Sequence, residues 1–179
     1  MIKREVTQAG NPVIRKKSTK VKNVPSRNTK RVVQDLVDSM RHHELVGMAA
    51  PQIGINLRIF VTEIRKTKFR KQPNMLDPLR VYINPRIVRR SKKEVFGYEG
   101  CGSVAFSQLF VSVKRFESVV VKALDKKGEE FELKAAGLLA RIIQHEFDHI
   151  EGKIFLDRGF NRRSVMSKNE YLKYASYSV

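Results

Sequence analysis

The octapeptide IQHEFDHI, Ile143 to Ile150, constrains this chain more than any other stretch. On an α-helix, residues four apart stand one turn above each other, so His145 and His149 can aim both imidazoles at one ion. Glu146 lies about 100° around from His145. It can exchange a proton with a water at that ion without being a ligand. Leu138 and Ile142 precede His145 at helical spacing, so the same face continues as an apolar wall. The pattern predicts a helix from Leu138 to about Ile150, ended near Gly152, with its metal-binding face turned inward.

A helix of this kind needs a third ligand, and three sources compete. The metzincin continuation H-E-x-x-H-x-x-G-x-x-H holds as far as Gly152 and then meets Phe155, which cannot bind metal. Glu170, 25 residues after His145, has a spacing tolerable for a zinc endopeptidase, but it sits in a basic, polar tail. His42 and His43 fall at the end of a predicted surface helix and are expected to be solvated. Cys101 remains. It stands between Gly100 and Gly102, and these glycines let backbone approach a metal or substrate closely. One thiolate and two imidazoles leave a coordination position for water, as catalytic sites require.

Around this motif the chain reads as one α+β domain over 1–179, with short antiparallel sheets about a central helix. Residues 1–25 look irregular. Ser26 is placed to cap a helix to about Leu45, on which Val32, Val33, Leu36, Val37 and Met40 recur at three- and four-residue steps. Short β-type runs follow at 58–64, 80–88 and 110–116, and the stretch around Cys101 also reads as a strand facing the site. Residues 118–124 and 130–135 flank Asp125-Lys126-Lys127-Gly128, a hairpin signal with Gly128 in the left-handed position. A segment over about 65–78 reads as an exposed basic insertion, and a basic tail covers about 158–179.

The 179 residues are 41% hydrophobic, and no apolar run reaches the roughly 18 residues of a membrane span. The first residues lack the apolar core of a secretory signal. One cysteine excludes an internal disulfide and fits a reducing cytoplasm. The net charge of +18 is unevenly placed. Residues 1–31 hold ten basic residues against one acidic, and residues 64–93 hold eleven against one, so the rest is nearly neutral. Two such segments suggest a polyanionic neighbour such as RNA.

Three segments in order, VGMAAPQIG (46–54), EGCGS (99–103) and QHEFDH (144–149), resemble the peptide deformylase family. The stretch 118–157 is similar to that family almost throughout, and GNPVIRK is a weaker echo. The resemblance implies removal of the formyl group from the formyl-methionine of nascent chains. It implies that Cys101, His145 and His149 hold one divalent ion, ferrous iron first, with zinc, nickel or cobalt as substitutes. It implies that Glu146 moves the proton. Gln52 and the backbone N–H of Gly102 would bind the formyl oxygen, and Val46, Gly47, Glu99, Gly100, Leu138 and Ile142 would line the substrate site. A monomer that docks on the ribosome through its basic segments, chiefly Lys66, Lys68, Arg70 and Lys71, completes the expectation. A non-catalytic RNA-binding relative and the endopeptidase using Glu170 are the rivals. Two departures from the family pattern stand beside the cleft: Leu45 replaces a usual glycine, and Gly102 replaces a usual apolar side chain.

Overall fold

The computed structural model describes residues 4–24, 26–70 and 75–174. Its longest helix, α2 (Arg27–His42), starts where Ser26 accepts the Thr29 N–H at 3.1 Å, a side-chain cap for an otherwise orphaned donor. Val32, Leu36 and Met40 form its buried stripe and pack on Met48, Ile59 and Val61. These belong to β1 (Gly47–Ala49) and β2 (Ile59–Ile64), the first two strands of a five-stranded antiparallel sheet. Ahead of α2, the region expected to be irregular contains one short turn of helix, α1 (Pro12–Arg15), capped by Asn11.

The sheet continues through β3 (Asp77–Arg90), β6 (Ser118–Leu124) and β7 (Glu130–Ala136), in the order β1-β2-β3-β6-β7. Strands β6 and β7 are the expected hairpin. Asp125 Oδ1 accepts the Lys127 and Glu129 N–H groups, and Gly128 takes φ +90°, a conformation that excludes most side chains. Val119, Val121 and Ala123 face the core while Lys122 stays outside, the period of two that a half-solvated sheet requires. A second sheet holds β4 (Glu94–Gly100), β5 (Leu109–Phe116) and β8 (Met166–Ser167), in that order.

Helix α3 (Gly137–Ile150) lies against β1, β2, β5, β6 and β7. Leu139, Ala140, Ile142, Ile143 and Ile150 bury its apolar surface against Phe60, Tyr82 and the inner face of the hairpin. It ends at Ile150, and two residues on Gly152 takes φ +75°, where an added Cβ would lie 2.5 Å from the Arg15 carbonyl oxygen. The predicted helix is therefore present, one residue longer at its start. Among the described residues, no helix is long and apolar enough to cross a membrane.

The basic insertion is narrower than expected, because β3 begins at Asp77. It is also less free. The Lys168 ammonium sits 3.4 Å from the centre of the Phe69 ring, and burial lowers the pKa of Arg70, which faces Tyr171. Arg70 is half-buried, and Lys71 lies outside the described residues. The tail folds as β8 and α4 (Lys168–Tyr174). Tyr171 stacks on Phe110 with ring centroids 4.2 Å apart.

Candidate active site

Helix α3 and the end of β4 meet at three groups. Cys101 Sγ lies 3.2 Å from His149 Nε2, and ligand atoms of Cys101, His145 and His149 all fall within 4.8 Å of one another. All three come from the sequence-based expectation. Glu170, the rival ligand, is on α4 and pairs with Lys173 at 2.9 Å. It is no part of the metal-binding cluster found among the described residues. His42 is exposed as expected, whereas His43 is half-buried, with Nε2 3.0 Å from the Arg4 carbonyl oxygen.

The donor set fits a divalent ion of borderline softness, with one thiolate and two imidazoles facing one point. His145 Nδ1 is 2.9 Å from Glu99 Oε2, which leaves Nε2 for a metal, the second contact that ligating histidines commonly have. Burial and the neighbouring His145 hold His149 well below the ordinary imidazole pKa, so it is neutral, the ligating form. Burial also opposes charge on His145, but Cys101 and Glu99 outweigh it and hold its pKa well above the ordinary value. Metal binding there would release that proton.

Glu99 was expected at the substrate. Its side chain is buried behind His145 and takes two bonds from Arg115, both at 2.9 Å, and one from Arg141 at 2.8 Å. Burial opposes its charge, but Arg115 and His145 win and keep its carboxyl below the usual range. Arg115 also bonds Asp148, which Arg158 holds from the far side. Arg141 further donates to the carbonyls of Val95, Gly97 and Val113, so one side chain fastens α3 to β4 and β5. A Cβ at Gly97 would lie 2.8 Å from that guanidinium. Sequence reasoning missed Arg115, Arg141 and Asp148. Only Arg141 left a signal, being four residues before His145 and so on its face.

Glu146 is fully enclosed, and its Oε2 has no hydrogen-bond partner. Burial pushes its carboxyl up to about 7, suited to taking and giving a proton near neutrality. Beside it runs β1, where a Cβ at Gly47 would clash with Glu146 and Ile142. Gln52 follows on a short 3₁₀ turn. Its Oε1 accepts the Ala49 N–H at 2.8 Å, and its Nε2 approaches Cys101 Sγ at 3.7 Å. Val46, Leu138 and Ile142 belong to one apolar cluster. Gly100 has no room for a side chain, because a Cβ there would meet the Phe110 ring at 2.6 Å. Gly102 is buried, and among the described residues its N–H donates to no protein group.

The family model for polypeptide deformylase matches residues 3–165. This chain belongs to the polypeptide deformylase family. It is 39% identical over 161 residues to a peptide deformylase of Dictyoglomus turgidum, covering 90% of this chain and 95% of that one. A chloroplastic/mitochondrial peptide deformylase 1A of Arabidopsis thaliana is 35% identical over 164 residues, covering 86% of this chain and 60% of the relative. The Met-Ala-Ser-bound class I type b peptide deformylase of Acinetobacter baumannii superposes with TM-score 0.83 at 29% identity, over 88% of this chain and 99% of that one. A Legionella pneumophila peptide deformylase gives TM-score 0.77 at 35% identity, over 88% and 86%. The present chain is accordingly a metal-dependent deformylase, and neither rival reading is favoured.

Proposed function

We propose that this deformylase removes the formyl group from the formyl-methionine of nascent chains with Cys101, His145 and His149 as metal ligands. One observation carries the residue assignment. Beside these three ligands stand a buried carboxylate oxygen of Glu146 without a partner and, next to Cys101, the N–H of the buried residue Gly102, which among the described residues donates to no protein group. Buried polar groups are rarely left unpaired, and a hydrolytic site has use for both.

When bound, the ion supplies Lewis-acid polarisation and lowers the pKa of water. The side chains do the rest. Glu146 takes a proton from a water, which adds to the formyl carbon, and delivers a proton to the departing amine. The products are formate and a free N-terminus. Gly102 N–H and Gln52 Nε2 donate to the formyl oxygen as it gains negative charge, a contribution of about 3 kcal/mol per well-placed donor. Val46, Leu138 and Ile142 receive the methionine side chain, which is unbranched and adaptable. Glu99 holds the His145 ring from behind.

Ferrous iron is our assignment for the ion, with zinc, nickel or cobalt as substitutes that the same donors accept. We place the enzyme in the cytoplasm as a monomer that meets its substrate at the ribosome, where exposed Lys66 and Lys68 favour RNA. The relative from Acinetobacter baumannii carries Met-Ala-Ser, the tripeptide that formyl-Met-Ala-Ser would leave. Formate release from formyl-Met-Ala-Ser by ferrous-loaded protein, prepared without oxygen, tests the proposal. No release with metal confirmed bound would refute it.

A further inference from the structure

Residues 105–107 are backbone outliers. Ala105, Phe106 and Ser107 take φ of +47°, +51° and +61° in succession, although none is glycine or asparagine. Each such residue costs of order 1 kcal/mol or more and persists only where its surroundings impose it. The consequence of the turn is local. It brings the Ser107 N–H to the Cys101 carbonyl at 3.1 Å, where the Val104 N–H also donates at 3.0 Å. A trans peptide is planar, so its N–H points opposite to its C=O. Fixing the Cys101 carbonyl therefore aims the unpaired Gly102 N–H the other way.

Gln8 closes the arrangement. Its Nε2 donates to the Gly102 carbonyl at 2.8 Å and to the Val6 carbonyl at 2.9 Å. Its Oε1 accepts the Phe106 N–H at 3.3 Å, at the centre of the strained turn. The backbone on either side of Gln8 ties both halves of the site. Thr7 N–H donates to the Gln52 carbonyl at 2.8 Å, and Ala9 N–H donates to the Ser103 carbonyl at 2.7 Å. One short segment thus bonds the loop bearing the Gln52 amide and the loop bearing the Gly102 amide.

We propose that Gln8, with the left-handed turn Ala105–Ser107, is a positioning residue that holds the Gly102 N–H toward the reacting formyl oxygen. Gly102 gives this role its importance. A glycine has more conformational freedom than the side-chain-bearing residues, so its peptide has to be held from outside. Gln8 touches neither substrate nor ion. It acts on the reaction through the geometry of a donor.

This inference rests on the deformylase reading, and the test separates the two. Gln8→Met removes every bond of the side chain, while Gln8→Glu keeps the acceptor for Phe106 N–H and loses the donor to Gly102. Both should lower kcat on formyl-Met-Ala-Ser about tenfold or more, since small misplacements of catalytic groups are costly, with KM within about twofold. A binding measurement on the cobalt-loaded protein gives a second readout. Acetohydroxamate offers a carbonyl oxygen, the counterpart of the formyl oxygen, to the same N–H and should bind about tenfold more weakly to both variants. Benzyl mercaptan, which offers only sulfur to the ion, should bind as before. If Gln8→Met does not fold, the isosteric Gln8→Glu decides alone. Unchanged kcat and hydroxamate affinity, or an equal loss for thiol and hydroxamate, would overturn the proposal. Failure of the unsubstituted protein to release formate would instead count against the deformylase reading.

Discussion

Gly47 and Glu146 compete for one space: a Cβ on Gly47 would lie 2.5 Å from Glu146 Oε1 and 2.8 Å from Ile142 Cγ2. Both neighbours are buried, so neither side chain can swing into solvent. Gly47→Ala should therefore displace the carboxylate and cut kcat by on the order of a hundredfold. Metal content, set by Cys101, His145 and His149, should stay the same. A Gly47→Ala enzyme with full turnover would show that Glu146 does not need its present position.

The Glu99–His145 pair yields a prediction about metal retention. Glu99→Gln keeps the shape but removes the charge that orients His145 and balances Arg115. Metal affinity should fall by about 10–100-fold, the usual effect of losing a partner behind a ligand. Competition with a chelator measures it. Glu146→Ala, by contrast, should keep its metal and lose about 10²–10⁴ in kcat.

Acid sensitivity follows from Arg41 and Glu63, which link α2 to β2 through two bonds of 2.7 and 2.8 Å. The Arg41 hydrogen bond outweighs burial and holds the Glu63 carboxyl below its ordinary pKa. A depressed carboxyl stabilises the fold above the unfolded-state pKa of about 4.3 and loses that contribution as pH falls through the lower folded value. Arg41→Met should cost up to about 1 kcal/mol at pH 7, and the gap should shrink toward pH 3. Urea unfolding of both proteins at the two pH values checks the sign.

Docking on RNA should depend on Lys66 and Lys68, which are exposed, more than on the half-buried Arg70. Reversing both lysines to Glu should weaken co-sedimentation with ribosomes at low salt. It should also flatten the dependence of log affinity on log salt by about one to two. Turnover of a short formyl-peptide should not change. Binding indifferent to both salt and the reversals would make these lysines ordinary solvated groups.

Much of this was legible in the sequence where the information is local. His145, Glu146 and His149 follow from the helical period, and Asp125 to Gly128 announce their hairpin. The Cys101 ligand needed elimination among distant candidates. What could not be read is whatever depends on long-range pairing of charges. Arg115 looks like a solvated strand residue until the fold buries it against Glu99, and Asp148 looks like any charge on a helix. The left-handed turn is silent because Ala-Phe-Ser has neither the glycine nor the asparagine that marks such geometry. Gln8 is silent too, since its partner Gly102 lies 94 positions away.

That separation has a consequence for the order of events during translation. Gln8 and Ala9 are synthesised before their partners Gly102, Phe106 and Ser103, which appear about a hundred residues later. The histidine ligands follow later still. Gln8 and Ala9 must therefore wait for those partners, and long-range closures of this kind are slow to form. Catalytic competence waits on that closure, when residues 8 and 9 settle against residues 102–106.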